Sequence, residues 1–170
     1  MSPELTTAIE WAKRPILEKY ADFTGRASRP EYWWYVLAVV IAFVVARIIE
    51  GIVGLGHMIF YTYGPLSALL WLATIVPSLA VGVRRLHDTD RSGWWLLICV
   101  VPYALMVLTG IMAITGGGLF AMLGMASLIG FVALIGALVL LYFMVLPGTP
   151  GQNRYGQPPA GGGGTAVPAE

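Results

Sequence analysis

Charge is what this chain has least of. Of its 170 residues, ten are Lys or Arg and nine are Asp or Glu, 11% in all against 58% apolar residues, and the mean hydropathy is +0.77. A soluble globular domain carries about a quarter of its residues as charges, so that class is excluded and an integral membrane protein is expected. Cysteine is nearly absent: Cys99 is alone inside an apolar run, which excludes an intramolecular disulfide and a thiolate metal site. A formal net charge of +1 supplies no strongly basic field, so no nucleic-acid partner is expected.

Basic residues are also missing from two particular places. The stretches 51–65 and 114–118 contain no Lys or Arg, and each connects two apolar runs. Four such runs are long enough for a hydrocarbon core that needs about 20 helical residues, and the spans are placed at about 32–49, 66–83, 94–113 and 125–146. Lys13, Arg14, Lys19, Arg26 and Arg29 precede the first span, Arg84, Arg85 and Arg91 lie between the second and third, and Arg154 follows the fourth. Nine of the ten basic residues thus fall on one side, leaving Arg47. By the positive-inside rule that side is the cytoplasm, and the expected fold is an all-α integral membrane four-helix bundle with both termini cytoplasmic. The first long run starts only at Tyr32, behind ten charges, so it lacks the form of a cleaved signal peptide.

The chain divides into a cytoplasmic N-terminal segment (1–27), a membrane domain (28–146) and a Gly/Pro-rich tail (147–170), of which 157–170 is expected to be disordered. In the first segment Leu5, Ile9, Ala12 and Ile16 recur at helical spacing, which fits an amphipathic helix on the inner membrane surface. Pro15 would divide that helix into two short pieces; a solvated lead-in with little fixed structure is the alternative. Ser28 and Glu31 have capping-box spacing, with Pro30 suited to a first turn. Tyr32 to Tyr35 form one aromatic belt, Trp94 and Trp95 repeat it, and Phe60, Tyr61 and Tyr63 supply the opposite one. Small residues recur on span one (Ala38, Ala42, Ala46) and span four (Ala126, Gly130, Ala133, Ala137), the pattern that lets helices approach closely in lipid. Pro77 and Pro102 can kink spans two and three.

Most of the chemistry-bearing side chains sit in one charged island, Arg84 to Trp95, which holds five of the nineteen charges and one of the two histidines. His87 beside Asp88 could act as acid or base, and nearby arginines could neutralise phosphate. Yet neither a Pro-Ser-Gly-His segment nor a set of spaced aspartates accompanies them. One histidine and two aspartates are also thin for zinc, which takes at least three well-placed ligands, so no catalytic, cofactor or metal residue is assigned. The plainer reading has the arginines anchoring helix ends at anionic headgroups, with Asp88 and Asp90 paired to Arg84, Arg85 or Arg91 and with Ser92 capping the next helix. Arg47, three residues before Glu50, reads as an i, i+3 pair or as a polar element of a solute pathway.

Three motifs together resemble the domain of unknown function 805 family. They are 19–29 with Glu31 to Trp33, then Val83 to Asp88 with Ser92 to Trp95, then Gly148 to Gly151 with Asn153, Tyr155 and Gly156. The resemblance implies a small bacterial inner-membrane protein without an established activity. Asp90 departs from it, standing where the family commonly has a small or amide residue.

The leading expectation is a non-enzymatic multi-pass protein of the bacterial inner membrane. Gly25, Arg26, Arg29, Arg84, Arg85, His87, Asp88, Arg91, Ser92, Gly93, Trp94, Asn153 and Tyr155 would form one cytoplasmic polar rim for anionic phospholipid headgroups, a membrane-protein partner or a second copy of the chain. A small transporter or channel component is the alternative, and a phospholipid-modifying enzyme the third.

Overall fold

The computed structural model describes residues 3–55, 64–114 and 119–159. They form five α-helices: α1 (Pro3–Leu17), α2 (Arg29–Val53), α3 (Pro65–Asp88), α4 (Leu97–Ile114) and α5 (Leu119–Val145), with a 3₁₀ turn (Gly93–Leu96) leading into α4. Four segments are long and apolar enough to cross a membrane: Arg29–Val53, Pro65–Asp88, Gly93–Gly110 and Leu123–Val145. The expected belt residues Phe60, Tyr61 and Tyr63 lie outside the described residues, as do 115–118 and the tail from 160 onward.

The capping signals work as local chemistry dictates, with one change. Ser28 Oγ accepts from the Glu31 amide at 3.3 Å and Pro30 occupies the first turn of α2. The Glu31 carboxylate, expected to turn back to the cap, instead reaches Arg84 on α3. Ser92 Oγ accepts from the Trp94 amide and starts the 3₁₀ turn. At the far end of α2, Gly54 takes φ +75° and its amide closes the helix on Glu50 and Gly51 carbonyls.

Two antiparallel hairpins make up the body. In α2 and α3, Glu31 meets Arg84, Tyr35 meets Ser78 and Glu50 meets Ser67, an order that runs oppositely along the two helices. In α4 and α5, Ile98 lies against Gly136 and Met106 against Gly130. The hairpins join where Leu86 of α3 packs with Leu140 and Met144 of α5, flanked by Tyr32, Leu96 and Ile98. Elsewhere the outward faces are apolar, as at Ile48, Leu69 and Leu134, all more than half exposed; hydrocarbon is the solvent that accepts such a surface. Two hydroxyls within the spans bond back to their own helix, Thr74 to the Leu70 carbonyl and Ser127 to that of Leu123.

Small residues mediate the α4–α5 contact, but the expected stripe is corrected by one position. Ala137 is exposed, whereas Gly136 faces α4, where a methyl group would stand 2.7 Å from the Ile98 carbonyl oxygen. That carbonyl is the one Pro102 leaves without its i+4 amide donor. Pro77 has the same effect on the Ala73 carbonyl, which instead accepts from the Tyr20 hydroxyl at 2.8 Å. Pro77 and Pro102 thus each free a carbonyl that a neighbouring segment approaches.

Contrary to expectation, Pro15 does not divide α1, which is continuous through Leu17. Only two residues follow it in the helix, so the loss is confined to a single hydrogen bond at the helix end. The helix packs back along α2 and α3, and the chain after it, through Tyr20, meets α3 at Ala73.

Candidate functional site

Arg84 and Arg85 are neighbours on a helix, so their side chains leave α3 about 100° apart. That divergence organises one end of the molecule. Arg84 turns to α2, where Nη1 donates to Glu31 Oε1 at 2.7 Å. Arg85 turns to α5, where Nε donates to the Met144 carbonyl at 3.1 Å and Nη2 to that of Leu146. Arg85 thus satisfies carbonyls that the end of α5 leaves without amide donors. Its Nη1 also donates to Asp88, one turn further along α3.

Asp88 is shared. Its Oδ2 takes Arg85 and its Oδ1 accepts from Arg26 Nε at 2.9 Å. Arg26 carries the link onward: Nη2 donates to the Thr149 carbonyl and Nη1 to that of Gly151, both at 2.7 Å. The segment after α5 is fastened a second time by Thr149, whose amide donates to the Asp88 carbonyl at 2.8 Å. Gly148 is required here, because a methyl group on it would fall 2.2 Å from Asp88 Oδ2.

His87 completes the clasp. Its ring stacks on Tyr155 with centroids 3.7 Å apart and planes 3° from parallel, and its Nδ1 lies 3.1 Å from the Gly25 carbonyl oxygen. Asn153 Nδ2 donates to the His87 carbonyl and to Thr149 Oγ1, both at 2.9 Å. Gly25 has φ +74°, a left-handed turn that glycine adopts without strain. The turn follows Asp22, whose carboxyl is held below its ordinary value by the hydroxyl and amide of Thr24.

The expected rim residues therefore separate into groups. Gly25, Arg26, Arg85, His87, Asp88, Asn153 and Tyr155 make one interlocked cluster, with Arg84 beside it. Arg84 and Arg85 are completely buried, which corrects their expected role as headgroup anchors: both have internal partners. The expected pairing holds for Asp88, which takes Arg85, and is corrected for the other two, since Arg84 takes Glu31 and Asp90 takes Arg154 at 3.1 Å. Arg91 lies with its guanidinium 4.1 Å above the Phe143 ring, and Gly93 packs on Val83. Trp94 points away, 77% exposed. Arg29 is exposed and, among the described residues, makes no ion pair. Asp90 has φ +57°; glycine and asparagine tolerate that conformation best, a physical reason for a small or amide residue there.

Beside the cluster lies a cleft of about 850 Å³ between the first half of α2, the end of α5 and the segment after it. Among the described residues, no three His, Cys, Asp or Glu side chains gather as a metal site. At the other end, Arg47 Nη1 lies 3.6 Å from Glu50 Oε2, as the i, i+3 spacing suggests. Glu50 also accepts from the amide and hydroxyl of Ser67, at 2.7 and 2.8 Å, and so caps α3. Sequence reasoning missed Thr149 as a clasp residue, Glu31 as the partner of Arg84 and Glu50 as a cap. Only the Gly-Thr-Pro-Gly run pointed toward the first.

A multi-helix membrane protein built around three converging motifs is the class these observations define. The chain belongs to the DUF805 family of proteins of unknown function, whose model matches residues 20–157. It is 44% identical over 88 residues to inner membrane protein YhaI of Escherichia coli (strain K12), an alignment covering 52% of this chain and 70% of that protein. To inner membrane protein YhaH of the same organism it is 36% identical over 95 residues, 56% of this chain and 76% of that protein. No solved structure matches the chain.

Proposed function

We propose that this is a non-enzymatic inner-membrane protein, with both termini in the cytoplasm, whose clasped end is a rigid platform for anionic phospholipid headgroups. The observation that carries this reading is that the motif side chains are committed to one another. Asp88 bridges two guanidiniums, and the His87 ring lies on Tyr155 with Nδ1 at a backbone carbonyl. Such a cluster holds a shape rather than turning over a substrate. What it leaves outward, at the same end, is Arg29 next to Trp33 and Trp34, a cation beside the aromatic side chains favoured at a headgroup boundary.

Arg47 motivates a transport reading, but its neighbour Glu50 serves as the cap of α3. That arrangement favours a structural role for the pair.

Reporter fusions test the orientation: a fusion within the Asp90 to Ser92 turn should report the cytoplasm, and a periplasmic signal there would overturn it. Thermal unfolding in nanodiscs tests the headgroup reading. Stability should rise when a third of the zwitterionic lipid is replaced by phosphatidylglycerol, and the gain should shrink at high salt. Equal stability in both lipids would remove the reading, and solute flux in proteoliposomes would favour transport instead.

A further inference from the structure

We propose that the cleft between α2 and the end of α5 holds one anionic glycerophospholipid, with its phosphate at Arg29 and its acyl chains along the apolar wall below. This rests on the headgroup reading above and assigns it a single bound lipid. The cleft has about 850 Å³ of space, and its lining combines charged and apolar side chains. Arg29, Trp33 and Leu37 all line it and stand four residues apart on α2. They therefore form one stripe in which each step descends about 6 Å. A guanidinium, an indole and an aliphatic side chain in that order match phosphate, glycerol region and acyl chain in turn. Ser28 adds a polar side chain, and Val145 at the end of α5 and prolines of the segment after it complete the lining.

Charge favours an anion over a zwitterion. Arg26 and Asp88 line the polar end, where Asp88 is shared between Arg26 and Arg85. Two guanidiniums on one carboxylate leave a net positive charge, and Arg29 adds another without a carboxylate of its own. The site needs no rearrangement of the clasp, since Arg26 already satisfies the Thr149 and Gly151 carbonyls.

Native mass spectrometry of the full chain, released from nanodiscs with equimolar phosphatidylglycerol and phosphatidylethanolamine, tests this. The wild type should retain one phosphatidylglycerol, about tenfold over phosphatidylethanolamine. Arg29→Gln should bring that ratio near one. Leu37→Trp and Val145→Trp, which fill the cleft from α2 and from α5, should each abolish retention while eluting as monodisperse protein on size exclusion. Wild type without a retained lipid, or either well-folded tryptophan variant retaining lipid like wild type, overturns the proposal. If the tryptophan variants keep an anionic preference that only Arg29→Gln removes, the rim reading stands and the cleft does not. Displacement of the lipid by millimolar glycerol phosphate would make the ligand a soluble phosphate, and would also overturn it.

Discussion

The Tyr20 hydroxyl donates at 2.8 Å to the Ala73 carbonyl, the acceptor that Pro77 deprives of its helical amide. A proline within a spanning helix leaves a polar group that hydrocarbon cannot satisfy, and here the chain before the first span supplies the donor. Tyr20→Phe is expected to destabilise the protein by about 1 kcal/mol. Pro77→Ala returns an amide to Ala73, so in that background Tyr20→Phe should cost little. Thermal unfolding of the four proteins in mild detergent checks the coupling; equal costs in both backgrounds would break the link.

Asp88 is the hinge of the clasp, because both Arg26 and Arg85 depend on its carboxylate. Asp88→Asn leaves two buried guanidiniums without an opposing charge, and breaking such buried pairs costs about 3–5 kcal/mol. The segment that Arg26 and Thr149 fasten should loosen at the same time. Limited proteolysis should then cut between Pro147 and Arg154 much faster than in the wild type. Unchanged protection would mean that the backbone bond from Thr149 to residue 88, the Asn153–His87 bond and the His87–Tyr155 stack hold the segment without the carboxylate.

How much of this was legible in the sequence depends on the range of the interaction. Four spanning segments, the Ser28 and Ser92 caps and the Arg47–Glu50 pair arise from hydropathy or from neighbours within four residues, and each leaves a local pattern. The gathering of three motifs was suggested only by their shared side. Long-range partner choice was not legible: Arg26 finds Asp88 across 62 positions and Arg84 finds Glu31 across 53. No periodicity encodes which of two adjacent arginines faces which helix. Gly136 was missed for a related reason, since its role is set by Pro102 acting on Ile98 in a different helix.

Gly136→Ala tests that contact. The added methyl would meet the Ile98 backbone carbonyl at 2.7 Å, and backbone cannot swing aside as a long side chain can. Overpacking of this kind costs about 1–3 kcal/mol. Gly124→Ala, where no atom lies within 4 Å of the new methyl, should be neutral or slightly stabilising. A clear loss of thermal stability in the first and none in the second is the expected result. Equal behaviour would place the α4–α5 contact elsewhere.

Arg84 is buried with only one nitrogen engaged: Nη1 meets Glu31, while Nε and Nη2 have no hydrogen-bond partner among the described residues. Desolvation of such a pair is repaid only when its remaining donors are satisfied, so this pair gives α2–α3 register rather than net stability. Arg84→Met alone would leave Glu31 without its cation, and Glu31→Leu alone would leave the guanidinium without its anion. Each single change is expected to cost about 3–5 kcal/mol. Combining them removes both charges and should recover most of the loss. A thermal-unfolding double-mutant cycle measures this, and additive costs would show that each residue acts through other neighbours.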